Sequence, residues 1–138
     1  PTTMKYTSVL SSLALFVASV SAQAVTFIAP PFDTQVSAGV PFNVTVQLHP
    51  QATDFNVVAL YFGEQLGGDP SNQELGQELA IIGAPVFQPI GPFNGLILNV
   101  PLTINSPGST NVTLGGFFVA GVAKNPGFFV TKTRVQVV

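Results

Sequence analysis

The chain has 138 residues, of which 46% are hydrophobic and only 7% are charged, with a formal net charge of −2 and neither cysteine nor tryptophan. The few basic residues exclude the charged patches that hold nucleic acid or anionic membrane surfaces. The absence of cysteine excludes the disulfide-stapled classes of small secreted protein and any cysteine-based catalysis. One globular domain of moderate size is therefore expected.

The N-terminal stretch predicts a secretory signal peptide. Residues 1–3 precede Met4 and are interpreted as a remnant of cloning or of gene prediction. Lys5 supplies the positive charge of the n-region, and Val9 to Val20 forms an uncharged, mostly apolar h-region of twelve residues. A run of that length falls short of the about 20 residues that a bilayer core requires, so a transmembrane anchor is the weaker interpretation.

Small residues after this run predict the cleavage position. Val20-Ser21-Ala22 presents small side chains where a signal peptidase reads them, which places the cut after Ala22, with Ala24 as the alternative. We therefore expect residues 4–22 to be removed and residues 23–138 to form one domain. That domain is expected outside the cell, without membrane insertion once the signal is cleaved.

Seven stretches in the remaining chain carry strand patterns. The clearest is Phe42 to Leu48, in which apolar and polar residues alternate without a break, as in a strand with one buried and one solvent-exposed face. In chain order the predicted strands are 24–29, 42–48, 55–62, 78–86, 96–104, 112–122 and 128–138. Short strands separated by Pro and Gly turns predict an all-β, antiparallel immunoglobulin-like β-sandwich of about seven strands, with no disulfide.

Four local features refine this expectation. Residues 63–72 form the longest polar loop, and residues 73–79 are compatible with one or two helical turns. Pro101 predicts an edge position for its strand, because proline cannot donate to a ladder. Gly115-Gly116 suggests a bulge or a bend in the strand that contains it.

Catalytic chemistry finds little support in the sequence. His49 is the single histidine, at the wet end of its strand, and it has no partners at metal-ligand or triad spacing. Glu74 and Glu78 are the only carboxylates at helical i, i+4 spacing, but no tryptophan accompanies them as a platform for sugar stacking. We therefore expect no enzyme, no cofactor and no metal site.

Two sequons match the acceptor pattern for N-glycosylation. They are Asn43-Val44-Thr45 and Asn111-Val112-Thr113. In a chain with a signal peptide, and on the predicted outward faces of strands, Asn43 and Asn111 are both candidate glycan sites.

The phenylalanines are the main candidates for a partner surface. Adjacent residues in a strand point to opposite faces, so one member of each Phe-Phe pair requires a cover outside the core of its own sandwich. Core packing is one interpretation of these residues, and a protein-binding or self-association surface is the other. The candidate residues are Phe62, Phe117, Phe118, Phe128 and Phe129.

Several segments resemble a family of fungal secreted effectors. The segments 36–46 (VSAGVPFNVTV), 57–60 (VVAL) and 98–101 (LNVP), with the last two strands, are similar to the fungal necrosis-inducing secreted protein family. This resemblance implies a secreted virulence protein that suppresses host immunity by binding receptor-type kinases, with no catalytic residues to carry over.

A second resemblance leads to an alternative function. The opening strand with its Ala38-Gly39 lead is also similar to the Ig-like domain of Kre/Knh-type fungal cell-wall proteins. It implies a structural or glycan-binding component of the cell wall or extracellular matrix. Protein binding to a host partner remains the leading hypothesis, and this alternative stays open.

Overall fold

The fold is built entirely from β-strands within the part of the chain described by the computed structural model, which covers residues 25–49, 54–67, 74–89, 91 and 95–138. The predicted signal peptide lies outside these residues. In chain order the strands are β1 (Val25–Ala29), β2 (Thr34–Val36), β3 (Phe42–Leu48), β4 (Asn56–Leu66), β5 (Gln77–Gly83), β6 (Gln88–Pro89), β7 (Leu96–Leu102), β8 (Gly108–Ala120) and β9 (Asn125–Val137).

The strands form two sheets that pack face to face. One sheet has the order β1-β3-β7-β6 and the other the order β2-β9-β8-β4-β5. Every pairing is antiparallel except that of β2 with β9. This arrangement confirms the predicted immunoglobulin-like β-sandwich. The two shortest strands, β2 and β6, lie in stretches whose sequence predicted connections.

The apolar and polar residues of β3 alternate between the buried and the outward face of the strand, as the sequence predicts. Val44, Val46 and Leu48 are buried, and β3 pairs along its full length with β7, from Phe42 opposite Leu102 to Leu48 opposite Leu96. Pro101 lies opposite Asn43, whereas β6 reaches only residues 96 and 97 on the other side of β7. The predicted edge position therefore holds only for the Pro101 end of β7 within the described residues, since β6 lies beside the other end of the strand.

The helical turn predicted for residues 73–79 is wrong where the structure describes it. Residues 74–76 are not helical, and β5 begins at Gln77; residue 73 lies outside the described part. Gln77 and Glu78 pair with β4, and Leu79 packs against the core. Pairing with a strand that is already buried therefore outweighs the weak local signals for a helix.

The β8–β9 hairpin is interlocked by rings lying over glycines. Gly116 is opposite Phe129, and Gly127 is opposite Phe118. A Cβ added at Gly116 would overlap the Phe129 ring, and one added at Gly127 would overlap the Phe118 ring. Each ring therefore occupies the space that a side chain on the neighbouring strand would need.

The bulge suggested by Gly115-Gly116 is not present. The β8–β9 ladder runs without a register shift from Gly108 opposite Val137 to Ala120 opposite Asn125. The register shift between β4 and β8 lies instead between Val57 and Ala59 of β4. The two glycines allow side chains from neighbouring segments to pack closely on β8.

An ion pair attaches the β1–β2 connection to β9. Asp33 receives two hydrogen bonds from Arg134, at 2.6 and 2.8 Å, and a third from Gln136 at 2.9 Å. The Arg134 guanidinium also lies 4.6 Å from the centre of the Phe32 ring. The hydrogen bonds from Arg134, and then that from Gln136, lower the pKa of the Asp33 carboxyl to about 2.

The glycine beneath Phe129 yields a prediction about stability. We expect Gly116→Ala to lower the free energy of unfolding by about 1–3 kcal/mol, because the new methyl group overpacks against a buried ring. Urea unfolding followed by circular dichroism measures the change. Gly83→Ala is the matched control, since a Cβ there meets no atom within 4 Å. An equal effect of both substitutions would contradict the role given to the Phe129 ring.

The Asp33 carboxyl yields a prediction about acid stability. Because its pKa is lowered from 3.8 to about 2, its contribution to stability is fully present above pH 3.8 and is lost as the pH falls through about 2. We therefore expect Asp33→Asn to remove part of the loss of stability between pH 4 and pH 2, measured by thermal unfolding at fixed ionic strength. Asp54→Asn, at an exposed carboxylate with no salt bridge within the described residues, serves as control. An unchanged pH profile for Asp33→Asn would refute this assignment.

Candidate functional site

The five candidate phenylalanines divide between the core and the surface. Phe62 and Phe129 are buried, at 0% and 3% exposure, and therefore do not form part of an accessible partner surface. Phe118 packs against the core and stacks on Phe55, with ring centres 4.8 Å apart. The sequence prediction included these three residues, and burial removes them from the candidate site.

Phe117 and Phe128 face outward from the five-stranded sheet. They are opposite each other on β8 and β9, and they remain 58% and 43% exposed. Their ring centres are 4.8 Å apart and their planes are tilted by 45°. This confirms that one member of each Phe-Phe pair points away from the core, as the two-residue period of a strand requires.

A short segment before β5 covers the sheet beside these rings. The Leu75 side chain lies over Gly115, where an added Cβ would be 2.8 Å from Leu75 Cδ1 and 3.2 Å from Phe128 Cζ. Two side chains hold the segment in place: the Thr113 hydroxyl donates to the Leu75 carbonyl, and the Tyr61 hydroxyl donates to the Gly76 carbonyl at 2.9 Å. Glycine at position 115 thus allows a leucine to lie flat on the sheet.

Ile81 extends the apolar surface to the edge of the sheet. It is opposite Tyr61, which is opposite Gly115 in turn, so the three residues share the outward face. Ile81 is 60% exposed. We call Leu75, Ile81, Phe117 and Phe128 the outer aromatic face.

Acidic side chains lie beside one end of the outer aromatic face. Glu74 precedes Leu75, Glu78 lies three residues before Ile81, and both glutamates are exposed. Burial, with the neighbouring Glu78 carboxylate as a second cause, raises the pKa of the Tyr61 phenol. The phenol is neutral at physiological pH, as tyrosines ordinarily are, and its hydroxyl proton is available for the bond to Gly76.

A polar cluster lies on the same outward side, away from the phenylalanines. Lys132 Nζ donates to Gln65 Oε1 at 2.8 Å, and Gln65 is opposite Asn111 in the β4–β8 ladder. Asn111 is only 2% exposed. Asn111 therefore lies on the outward side of the sheet, as predicted, but it is buried there and not open to solvent.

The other sequon lies on the opposite sheet and is open to solvent. Asn43 is exposed on β3. The third residue of its sequon, Thr45, donates a 2.5 Å hydrogen bond to Asn99 of the neighbouring β7. A glycan on Asn43 would extend from the four-stranded sheet, on the side of the sandwich away from the outer aromatic face.

The described residues contain no cluster of side chains suited to holding a metal ion. His49 Nε2 lies 3.4 Å from the Thr26 hydroxyl, and no group of three or more His, Asp or Glu residues in this part of the chain could hold a metal ion. The same residues include no helix long and apolar enough to cross a membrane.

Comparisons with known proteins identify similarities of fold only. No protein-family model matches the sequence, and no curated protein matches it significantly. Among solved structures, the fibronectin(III)-like modules of Clostridium thermocellum CbhA are 14% identical, with 82% of this chain and 93% of that chain covered and a TM-score of 0.43. The cellulose-active LPMO CelS2, solved with copper, is 18% identical, with 84% and 56% covered and a TM-score of 0.45. Neither similarity carries an activity, a substrate or a metal to this chain.

The two sequons differ in exposure, and this yields a prediction about glycosylation. On secretion from a eukaryotic host, we expect Asn43 to carry the N-glycan, because oligosaccharide transfer needs an accessible amide nitrogen. Asn43→Gln should abolish the mobility shift that an N-glycosidase produces, whereas Asn111→Gln should leave it intact. A shift that is lost only in Asn111→Gln would show that glycosylation occurs before β8 is buried.

Proposed function

We propose that this chain is a secreted protein-binding module that engages its partner through the outer aromatic face. The observation that carries the proposal is the pair of phenylalanines on β8 and β9, which stay 58% and 43% exposed although their immediate neighbours are packed inward. Exposed aromatic side chains that cluster on a rigid sheet are typical anchors of protein interfaces.

The geometry of the rings favours a protein partner over a polysaccharide. A flat sugar chain stacks best on coplanar rings, whereas Phe117 and Phe128 are tilted by 45°. The nearby hydroxyls of Tyr61 and Thr113 already donate to backbone carbonyls, so they offer no free proton to sugar hydroxyls. A protein side chain can fill the angle between tilted rings without needing these donors.

Charge indicates what kind of partner surface fits. Glu74 and Glu78 border the Leu75 and Ile81 end of the outer aromatic face. A complementary partner would present an apolar centre with basic residues at one rim. The resemblance to fungal effectors makes a host receptor-type kinase the first partner to test, with suppression of host immunity as the corresponding function.

A capture experiment tests the proposal. The secreted protein is immobilised and offered purified ectodomains and kinase domains of host receptor-type kinases, and in parallel it is sedimented with chitin and with glucan. We expect the double variant Phe117→Ser/Phe128→Ser to weaken capture of a protein partner by about tenfold or more, since both anchors are lost. The matched control is Val40→Ser, at a 53% exposed residue outside the outer aromatic face.

The outcomes separate the two functions. Loss of kinase binding in the double variant but not in the control supports the proposal. Sedimentation with glucan or chitin that depends on the same phenylalanines, without capture of any kinase, would support the cell-wall alternative and overturn the effector role.

A further inference from the structure

The edge strand β5 differs from the other three strands that end the sheets. β2 has three residues and follows two prolines, β6 has two residues and includes Pro89, and β1 ends at Ala29 directly before Pro30. β5 has seven residues and contains no proline, lysine or arginine. Short length, proline, charged side chains and β-bulges are the usual protection of a sheet edge against pairing. In β5 the charged Glu78 and the irregularity at Leu79 lie near the start of the strand, and the residues from Ala80 to Gly83 carry no such protection.

The outward backbone groups of β5 are open within the described part of the chain. β5 pairs only with β4, and none of the turn and loop hydrogen bonds between described backbone groups involves residues 77–83. An edge of this kind can add one further strand through main-chain hydrogen bonds. Ile81, at 60% exposure, places an apolar side chain beside this edge.

We propose that β5 pairs antiparallel with β5 of a second copy of this chain, about a two-fold axis at Ile81. This pairing would join the two five-stranded sheets into one continuous sheet. It uses the sheet edge and, of the outer aromatic face, only Ile81, so that Phe117 and Phe128 stay open to the partner proposed above.

The alternation of side chains along β5 and the irregularity in its pairing with β4 together determine which residue lies on the two-fold axis. Directly opposite residues in antiparallel strands share a face, so a two-fold axis must place one residue opposite its own copy. Leu79 is the extra residue where the β4–β5 register shifts, and a centre at Ala80 would place each Ile81 directly opposite this irregular residue. A centre at Ile82 would place each Ile81 opposite Gly83, which has no side chain to cover it. Only the centre at Ile81 pairs Ile81 with itself.

The remaining contacts favour the same register. Ala80 would lie opposite Ile82 of the second copy, and both residues already pack against the core of their own sandwich. The two Glu78 carboxylates would be six residue steps apart along the pairing, roughly 20 Å, so no like charges face each other. A heterologous peptide would need side-chain pockets for specificity, whereas a second copy supplies matching apolar residues on both faces.

The pairing has a consequence for binding. A two-fold axis perpendicular to the sheet keeps both outer aromatic faces on the same side of the joined sheet. The dimer would therefore present two equivalent surfaces to a membrane-bound or clustered partner, and its avidity would exceed the affinity of a single copy.

Sedimentation equilibrium over a concentration series, with cysteine crosslinking, tests the proposal. We expect the wild type to form dimers and Ile81→Lys to weaken them by about tenfold, because a lysine would face its own copy. Ile81→Glu should behave likewise, and mixing the two variants should restore dimers through an opposite-charge pair. Val86→Lys, at a 70% exposed residue outside β5, is the matched control.

The absence of cysteine permits a direct test of the register. In Ile81→Cys the two sulfurs would belong to directly opposed residues with Cα atoms about 4.5–5.5 Å apart, within disulfide range. Mild oxidation should therefore yield a covalent dimer, whereas Val86→Cys should yield little. A wild type that stays monomeric, or a dimer that survives Ile81→Lys and resists crosslinking at position 81, would overturn the proposal. Phe117→Ser/Phe128→Ser should leave the dimer intact, which separates its failure from that of the proposed function.

Discussion

The structure depends on the reciprocal packing of rings and glycines in the β8–β9 hairpin. Phe129 lies over Gly116 and Phe118 lies over Gly127, so each strand supplies one ring and one gap to the other. This exchange sets the hairpin register to single-residue precision, because a slip of one residue would turn every side chain to the other face. The same register then sends Phe117 and Phe128 outward together. The core packing of the hairpin thus creates the candidate binding surface.

On the outer side of the five-stranded sheet, one apolar region is covered by another segment of the chain and a neighbouring one is exposed. At Gly63 and Gly115 the sheet has no side chains, and the Leu75 segment lies directly on it, held by hydroxyls from β4 and β8. One step along the strands, Phe117 and Phe128 have no such cover within the described residues. The hydroxyls of Tyr61 and Thr113 are hydrogen-bonded within the chain, whereas the rings of Phe117 and Phe128 remain exposed. That contrast favours recognition of an apolar partner surface over recognition of a polar ligand.

The proposed interactions are therefore divided between the two sheets. The four-stranded sheet carries the exposed Asn43 and a row of polar side chains, which suit solubility and a glycan. The five-stranded sheet carries the outer aromatic face and the edge strand β5. A glycan on the first sheet would obstruct neither surface on the second. The two proposed interactions of the chain, with a protein partner and with a second copy, can then occur at once.

The sequence by itself determined the class of fold and the inward or outward direction of most strand residues, because both follow from a period of two and from the positions of proline and glycine. It also indicated that each Phe-Phe pair divides between two faces. Only the tertiary structure decided that Phe117 and Phe128 are the outward members and neighbours, that Asn111 is covered, and that residues 77–79 belong to a strand and not to a helical turn. These outcomes depend on which strands pair and in which register. Contacts between different segments of the chain set that pairing, and the local pattern of apolar and polar residues does not predict those contacts.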